Sequence, residues 1–206
     1  RLAFEAALAL DSTSPDARGG LGELKLLLGE WAAGWDLYEA RRDVEASPVR
    51  RYPQSLWEGE DLMGRTLLVH AEQGMGDIIL FASCLPELVQ AGANCVLEVR
   101  PRMQSLFARS FPSMRVVGRA ANAELSDWPA DLPSIDYQIP FGSLPRWFRR
   151  SDSQFPAVTS GFLRPDQDRV EVWRRRLWND GRLNVGLAWR GGLAGTARLQ
   201  RSLAAR

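Results

Sequence analysis

The chain has 206 residues, 45% of them apolar and 25% charged, the make-up of an ordinary soluble globular protein with room for one sizeable core and an appendage. Its 26 lysines and arginines nearly balance 25 aspartates and glutamates, which excludes a global field directed at nucleic acid or an anionic membrane. There is no run of about 18 apolar residues that would span a bilayer and no signal-peptide core, so the expected location is cytoplasmic. The sequence opens on Arg1 inside a helical pattern rather than on Met, and it reads as a piece of a longer protein.

Residues 1–46 carry helical periodicity throughout. Phe4 and Tyr38 lie 34 positions apart, and Ala7, Leu21, Gly22 and Gly34 fall at the offsets where a tetratricopeptide repeat places small and apolar residues. Antiparallel helices approach closely only where side chains are small. Arg1–Leu10 reads as the second helix of one repeat, Pro15 as the first-turn residue of the next, Gly29 as its end, and Trp31–Val44 as the following helix. One repeat and a half cannot cover its own apolar face, so the helices should pack on the α/β part of the chain or on further repeats.

Residues 47–64, with Pro48, Pro53, Trp57 and Gly59, lack periodicity and read as a connector pinned by aromatics. The stretch 65–163 changes pattern. Arg65–His70 is a short apolar run suited to a strand buried on both faces. Ile78, Ala82, Leu85 and Val89 recur at helical spacing, with Phe81 and Leu88 widening the stripe, and Gly92 closes that helix. Cys95–Val99 is a second strand, Met103–Arg109 a short helix, Met114–Val117 a third strand and Tyr137–Ile139 a fourth. This alternation predicts an α/β fold with a Rossmann-like parallel sheet. Cys84 and Cys95, without metal or redox spacing, read as reduced core residues. In 164–206, Asp166–Trp178 is a charged amphipathic helix, and Asn184–Trp189 is an apolar strand that would begin a second, truncated α/β domain.

The densest chemistry lies in His70-Ala-Glu72-Gln73-Gly74-Met75-Gly76-Asp77, a strand end, a glycine loop and a helix start. Glycines permit sharp turns and close backbone approach, and free amides at a helix start attract an oxyanion. The pattern is not a dinucleotide fingerprint, because the third small residue is out of register and Asp77 follows the second glycine. Val99 is followed by Arg100-Pro101 rather than a ribose-binding carboxylate, which argues against an oxidoreductase. Asp77 has two readings from the residues alone: a helix cap, or a base that takes a proton from a substrate hydroxyl at the carboxyl end of the sheet. His70, the single histidine, reads as a structural hydrogen-bonding residue. Glu72 either orients the loop or contacts substrate. The eight tryptophans read as core and interface residues, and Arg146, Arg149 and Arg150 as a solvated basic face.

Several motifs in a fixed order resemble bacterial tetratricopeptide-repeat proteins with a heptosyltransferase-like glycosyltransferase domain of the GT-B type. They are Gly29-Glu-Trp31, Gly34-Trp35-Asp-Leu-Tyr38-Glu-Ala-Arg41, Trp57-Glu-Gly59, Glu72-Gln-Gly-Met-Gly-Asp77, Ser143-Leu-Pro145 and Val185-Gly-Leu-Ala-Trp189-Arg-Gly191. The resemblance implies a sugar transferred from a nucleotide-activated donor to an acceptor hydroxyl, with Asp77 as base. Glu72, Gln73, Gly74, Met75, Gly76, Trp189, Arg190 and Gly191 would contact substrate, and neither metal nor cofactor is called for. The donor nucleotide would rest mainly on the second domain, the acceptor would be a glycan or protein, and the repeats would offer a surface to a protein partner. The competing expectation is a non-catalytic repeat scaffold with a degenerate α/β domain.

Overall fold

The computed structural model describes residues 1–44, 52–120, 129–157, 161–177 and 181–188. They belong to two compact units, 1–164 and 165–206.

The first unit opens with helices α1 (Leu2–Leu10), α2 (Pro15–Leu27) and α3 (Trp31–Tyr38) packed as hairpins. Ser14 caps α2 by accepting the Ala17 amide, Pro15 fills its first turn, and Gly29, at φ 77°, ends it, as a residue without Cβ does at least cost. The small residues act as the spacing predicted. A Cβ on Gly22 would sit 2.7 Å from the Tyr38 backbone nitrogen, and one on Gly34 2.7 Å from the Leu26 side chain. The helix expected to run from Trp31 to Val44 instead tightens into a 3₁₀ turn over Glu39–Arg42, a change of pitch that re-aims the side chains after Tyr38.

Next in the chain is a parallel five-stranded sheet: β1 (Ser55–Leu56), β2 (Thr66–His70), β3 (Asn94–Val99), β4 (Arg115–Gly118) and β5 (Tyr137–Pro140), in the order β1-β5-β2-β3-β4. The α/β class and the parallel sheet are thus as expected. The edge strand β1, two residues inside the connector, was not. In register, Leu67 pairs with Cys95 and Tyr137, and His70 with Glu98 and Pro140.

On one face Leu67, Val69, Leu97, Val99 and Ile139 are buried with residues of α4 (Met75–Phe81), α5 (Leu85–Gln90) and α6 (Gln104–Ser110), among them Ile78, Phe81, Leu85, Leu88 and Phe107. The single helix predicted from Ile78 to Val89 is broken by a 3₁₀ turn at Ala82–Cys84 ahead of Pro86. Proline lacks an amide hydrogen and constrains the residue before it. The register shifts, and Val89 ends 45% exposed rather than in the stripe.

The opposite face buries Leu68, Val96 and Val117 against Tyr52, Leu132 and Ile135. It also buries polar groups that pair with one another. His70 Nε2 is 2.8 Å from Gln138 Oε1, Tyr52 donates its hydroxyl to Glu98, and Arg119 reaches Glu98 at 3.4 Å. His70 is fully buried against the Tyr52 ring, the structural setting expected of it.

The helical hairpin is part of this unit's core. Trp35 is buried in the main cluster with Phe81 and donates its indole N–H to the Arg149 carbonyl at 2.9 Å. The connector is pinned as expected, with Trp57 buried against Trp147 and Phe148. Of the arginines expected on a solvated face, Arg146 and Arg150 stay at the surface but are held in ion pairs, and Arg149 is buried. Arg150 grips both oxygens of Asp36 at 2.9 Å, Arg146 joins at 3.1 Å, and the buried Arg149 binds Glu87 and the Ser83 carbonyl. A guanidinium fork on a carboxylate is a directional link, and here it joins α3 to α7 (Pro145–Phe148) and the residues just after it.

In the second unit α8 spans Gln167–Leu177, with Trp173 and Leu177 half exposed. Residues 181–188 carry no strand ladder. Trp189, Arg190 and Gly191 lie outside the described residues. No helix among the described residues is long and apolar enough to cross a membrane.

Candidate functional site

In an open parallel sheet the chain direction splits where neighbouring strands run to opposite sides, and the crevice there, beyond the carboxyl ends, is the usual place for a ligand. Here β2 lies between β3, the next strand in the chain, and β5, which returns from the far edge. The loop after β2, Ala71–Gly74, and the turn after β5, Phe141–Ser143, therefore meet at the split.

Glu72 is turned inward, its side chain 1% exposed. Its Oε1 accepts the Gly142 amide at 3.0 Å and Arg41 Nη2 at 2.7 Å. Arg41 comes from the 3₁₀ turn behind α3, and the same Nη2 donates to Ser143 Oγ at 2.9 Å while Nη1 donates to Glu39 Oε1 at 2.9 Å. Ser143 in turn donates to Glu39 Oε2 at 2.9 Å. Burial works against the charge of Arg41, but the carboxylates of Glu72 and Glu39 outweigh it and hold its pKa above the ordinary value. Gly142 is required by this packing, since a Cβ there would stand 2.4 Å from Glu72 Oε1.

Gln73 donates its side-chain amide to Tyr38 Oη at 2.7 Å, and its carbonyl accepts Arg100 Nη2 at 3.3 Å. Burial raises the Tyr38 phenol pKa, partly offset by this bond and by Arg41, whose guanidinium lies 4.4 Å over the ring.

From Gly74 onward the segment turns outward. Gly74, Met75, Gly76 and Asp77 are exposed. Asp77 is the third residue of α4, and its Oδ2 accepts the Gly74 amide at 3.0 Å, the half of a capping box that an acid at that place supplies. The two glycines are not turn residues in the expected sense. Gly74 has φ −69° and ψ 166°, extended backbone open to any residue, and Gly76 lies within the helix with no atom within 4 Å of where a Cβ would be. What they provide is a bare surface beside Asp77.

The structure thus separates the expected contact set. Gly74, Met75, Gly76 and Asp77 share an exposed rim, Gln73 is half-buried against Tyr38, and Glu72 is internal. Arg41, Gly142 and Ser143 hold the loop, a role that the sequence pattern did not assign. Arg41 and Ser143 do fall within the motifs quoted above, and for Ser143, a hydroxyl in the otherwise apolar stretch Pro140–Pro145, that polar character was the available signal. No group of three or more potential metal ligands comes together among the described residues.

Fold and site together define a Rossmann-like parallel α/β unit with a helical hairpin docked at its topological split. The chain is similar to Protein FlbA of Caulobacter vibrioides, 33% identical over 177 residues that cover 80% of this chain and 30% of that protein. It therefore spans under a third of that relative's length. No family model matches it, and no solved structure does.

Proposed function

We propose that the chain is the acceptor-side part of a glycosyltransferase, with tetratricopeptide-like helices before it and the nucleotide-holding domain after it. The observation that carries this reading is Asp77: an exposed carboxylate at the first helix start after β2, at the carboxyl end of the sheet, beside two glycines that leave an incoming molecule room. In the reaction an acceptor hydroxyl gives its proton to Asp77 while its oxygen bonds to the anomeric carbon of the donor. The bond from that carbon to the nucleoside diphosphate breaks, and the diphosphate leaves with the electron pair. Gly74, Met75 and Gly76 border the acceptor.

One observation favours the scaffold reading instead. The crevice at the strand split, where a ligand would sit, is filled by Arg41, Glu72 and Ser143.

Calorimetric titration with uridine, guanosine, adenosine and thymidine diphosphates separates the two. The full-length protein is expected to bind one of them with a dissociation constant in the micromolar range, about −8 kcal/mol, and residues 1–206 alone to bind none tightly. Micromolar binding by residues 1–206 would overturn the domain assignment, and no binding by the full-length protein would leave the scaffold.

A further inference from the structure

We infer that Tyr38 and Arg41 are positioning residues: they set the path of the loop Ala71–Gly74, and so where α4 presents Asp77. The inference rests on the proposed sugar transfer for what the loop does, but not for what holds it.

Two successive loop residues are gripped from the hairpin, each by a different side chain. Glu72 is held by Arg41 at 2.7 Å and Gln73 by Tyr38 at 2.7 Å. Alternation along the chain sends neighbouring side chains to different sides, so two such grips fix the loop's rotation as well as its position. The holders are themselves fixed. Arg41 donates to the Tyr38 carbonyl at 3.1 Å and to Glu39, Glu39 accepts from Ser143, and Ser143 accepts from Arg41, a closed circuit of hydrogen bonds. Tyr38 is set by the close crossing of α2 and α3, where Gly22 lets the helices meet: a Cβ there would stand 2.7 Å from the Tyr38 backbone nitrogen. The route runs from the Gly22 crossing through Tyr38 to Gln73, and one residue later to the Gly74 amide that Asp77 caps.

The alternative is that Arg41 and Tyr38 merely add stability to the whole unit. Hydrogen exchange of the full-length protein, resolved to single amides, distinguishes the two. The Gly142 amide reports on Glu72, which it donates to, and the Gly74 amide on the loop's exit. Arg41→Gln is expected to speed exchange at Gly142, and Tyr38→Phe at Gly74, by about tenfold, while Leu97 in the centre of β3 stays within about twofold of the parent. Tyr38→Phe removes one hydroxyl and keeps the ring, so it supplies the test even where Arg41→Gln folds poorly. Exchange that rises equally at Leu97, or that is unchanged at both glycines, would overturn the assignment. In Asp77→Asn the Gly142 amide is expected to keep its parent rate whether or not that variant transfers sugar, so failure of the transfer reading leaves this result interpretable.

Discussion

Arg41 Nη2 and Glu72 Oε1 stand 2.7 Å apart, joining the end of a helical hairpin to the first loop of the sheet across 31 positions of sequence. Both side chains are nearly inaccessible, 12% and 1% exposed. An ion pair so placed is costly to half-remove, because the surviving partner keeps its burial and loses its compensation.

Glu72→Gln, which keeps an acceptor for the Gly142 amide but removes the charge, is expected to lower unfolding free energy by about 1–3 kcal/mol. Gly142→Ala puts a methyl 2.4 Å from Glu72 Oε1 and should cost about as much through overpacking. Urea titration of each variant gives the figure. Parent-like midpoints for both would mean that this contact does not bind the hairpin to the sheet.

The Asp36 link has a pH signature. The hydrogen bond from Arg150 holds its carboxyl below the ordinary range; burial opposes it, and the Arg146 bond and the charges of both arginines add to the lowering. A carboxylate whose folded pKa is depressed contributes stability that is fully present above its unfolded pKa and is lost as pH falls through the folded value. Asp36 is 43% exposed, so solvent screening limits the contribution to about 1 kcal/mol or less. The stability difference between parent and Asp36→Asn should therefore shrink as pH drops below about 4, and also with added salt at pH 7. A difference independent of both would show that the pair is not electrostatic in origin.

The two thiols should be chemically silent. Burial pushes Cys84 and Cys95 up to about 12, and their side chains lie in the packed core. A thiol reagent at pH 8 is expected to label neither in the folded protein and both after denaturation. Rapid labelling of Cys84 in native conditions would contradict the placement of the turn at Ala82–Cys84.

Much of this architecture was legible in the residues. The apolar run to His70 was a strand because it has β-branched and apolar residues without helical spacing. Gly29 and Gly92 ended helices because both adopt positive φ, and Gly22 and Gly34 marked a helix crossing. Other features depend on partners remote in sequence, which local patterns do not carry. Glu98 and Arg119 pair only because β3 and β4 are adjacent. The ion pairs of the basic cluster were not legible because nothing near 146–150 announces Asp36, 110 residues before Arg146. At the candidate site, the order strand, glycine loop, helix was readable, and so was the capping role open to Asp77. That Glu72 turns inward to meet Arg41 was not, since the direction of a loop side chain is decided by what packs over it.

Asp77 itself gives the most direct test, made on the intact protein by comparing sugar transfer with thermal stability for Asp77→Asn and Asp77→Ala. Asparagine retains an oxygen able to accept the Gly74 amide, so Asp77→Asn should move the melting temperature little, whereas Asp77→Ala loses the cap bond and about 1 kcal/mol. If Asp77 takes the acceptor proton, turnover falls by about 10² to 10⁴ in both variants. Unchanged turnover in Asp77→Asn, with a stability loss confined to Asp77→Ala, would contradict the catalytic role and leave Asp77 as a helix cap.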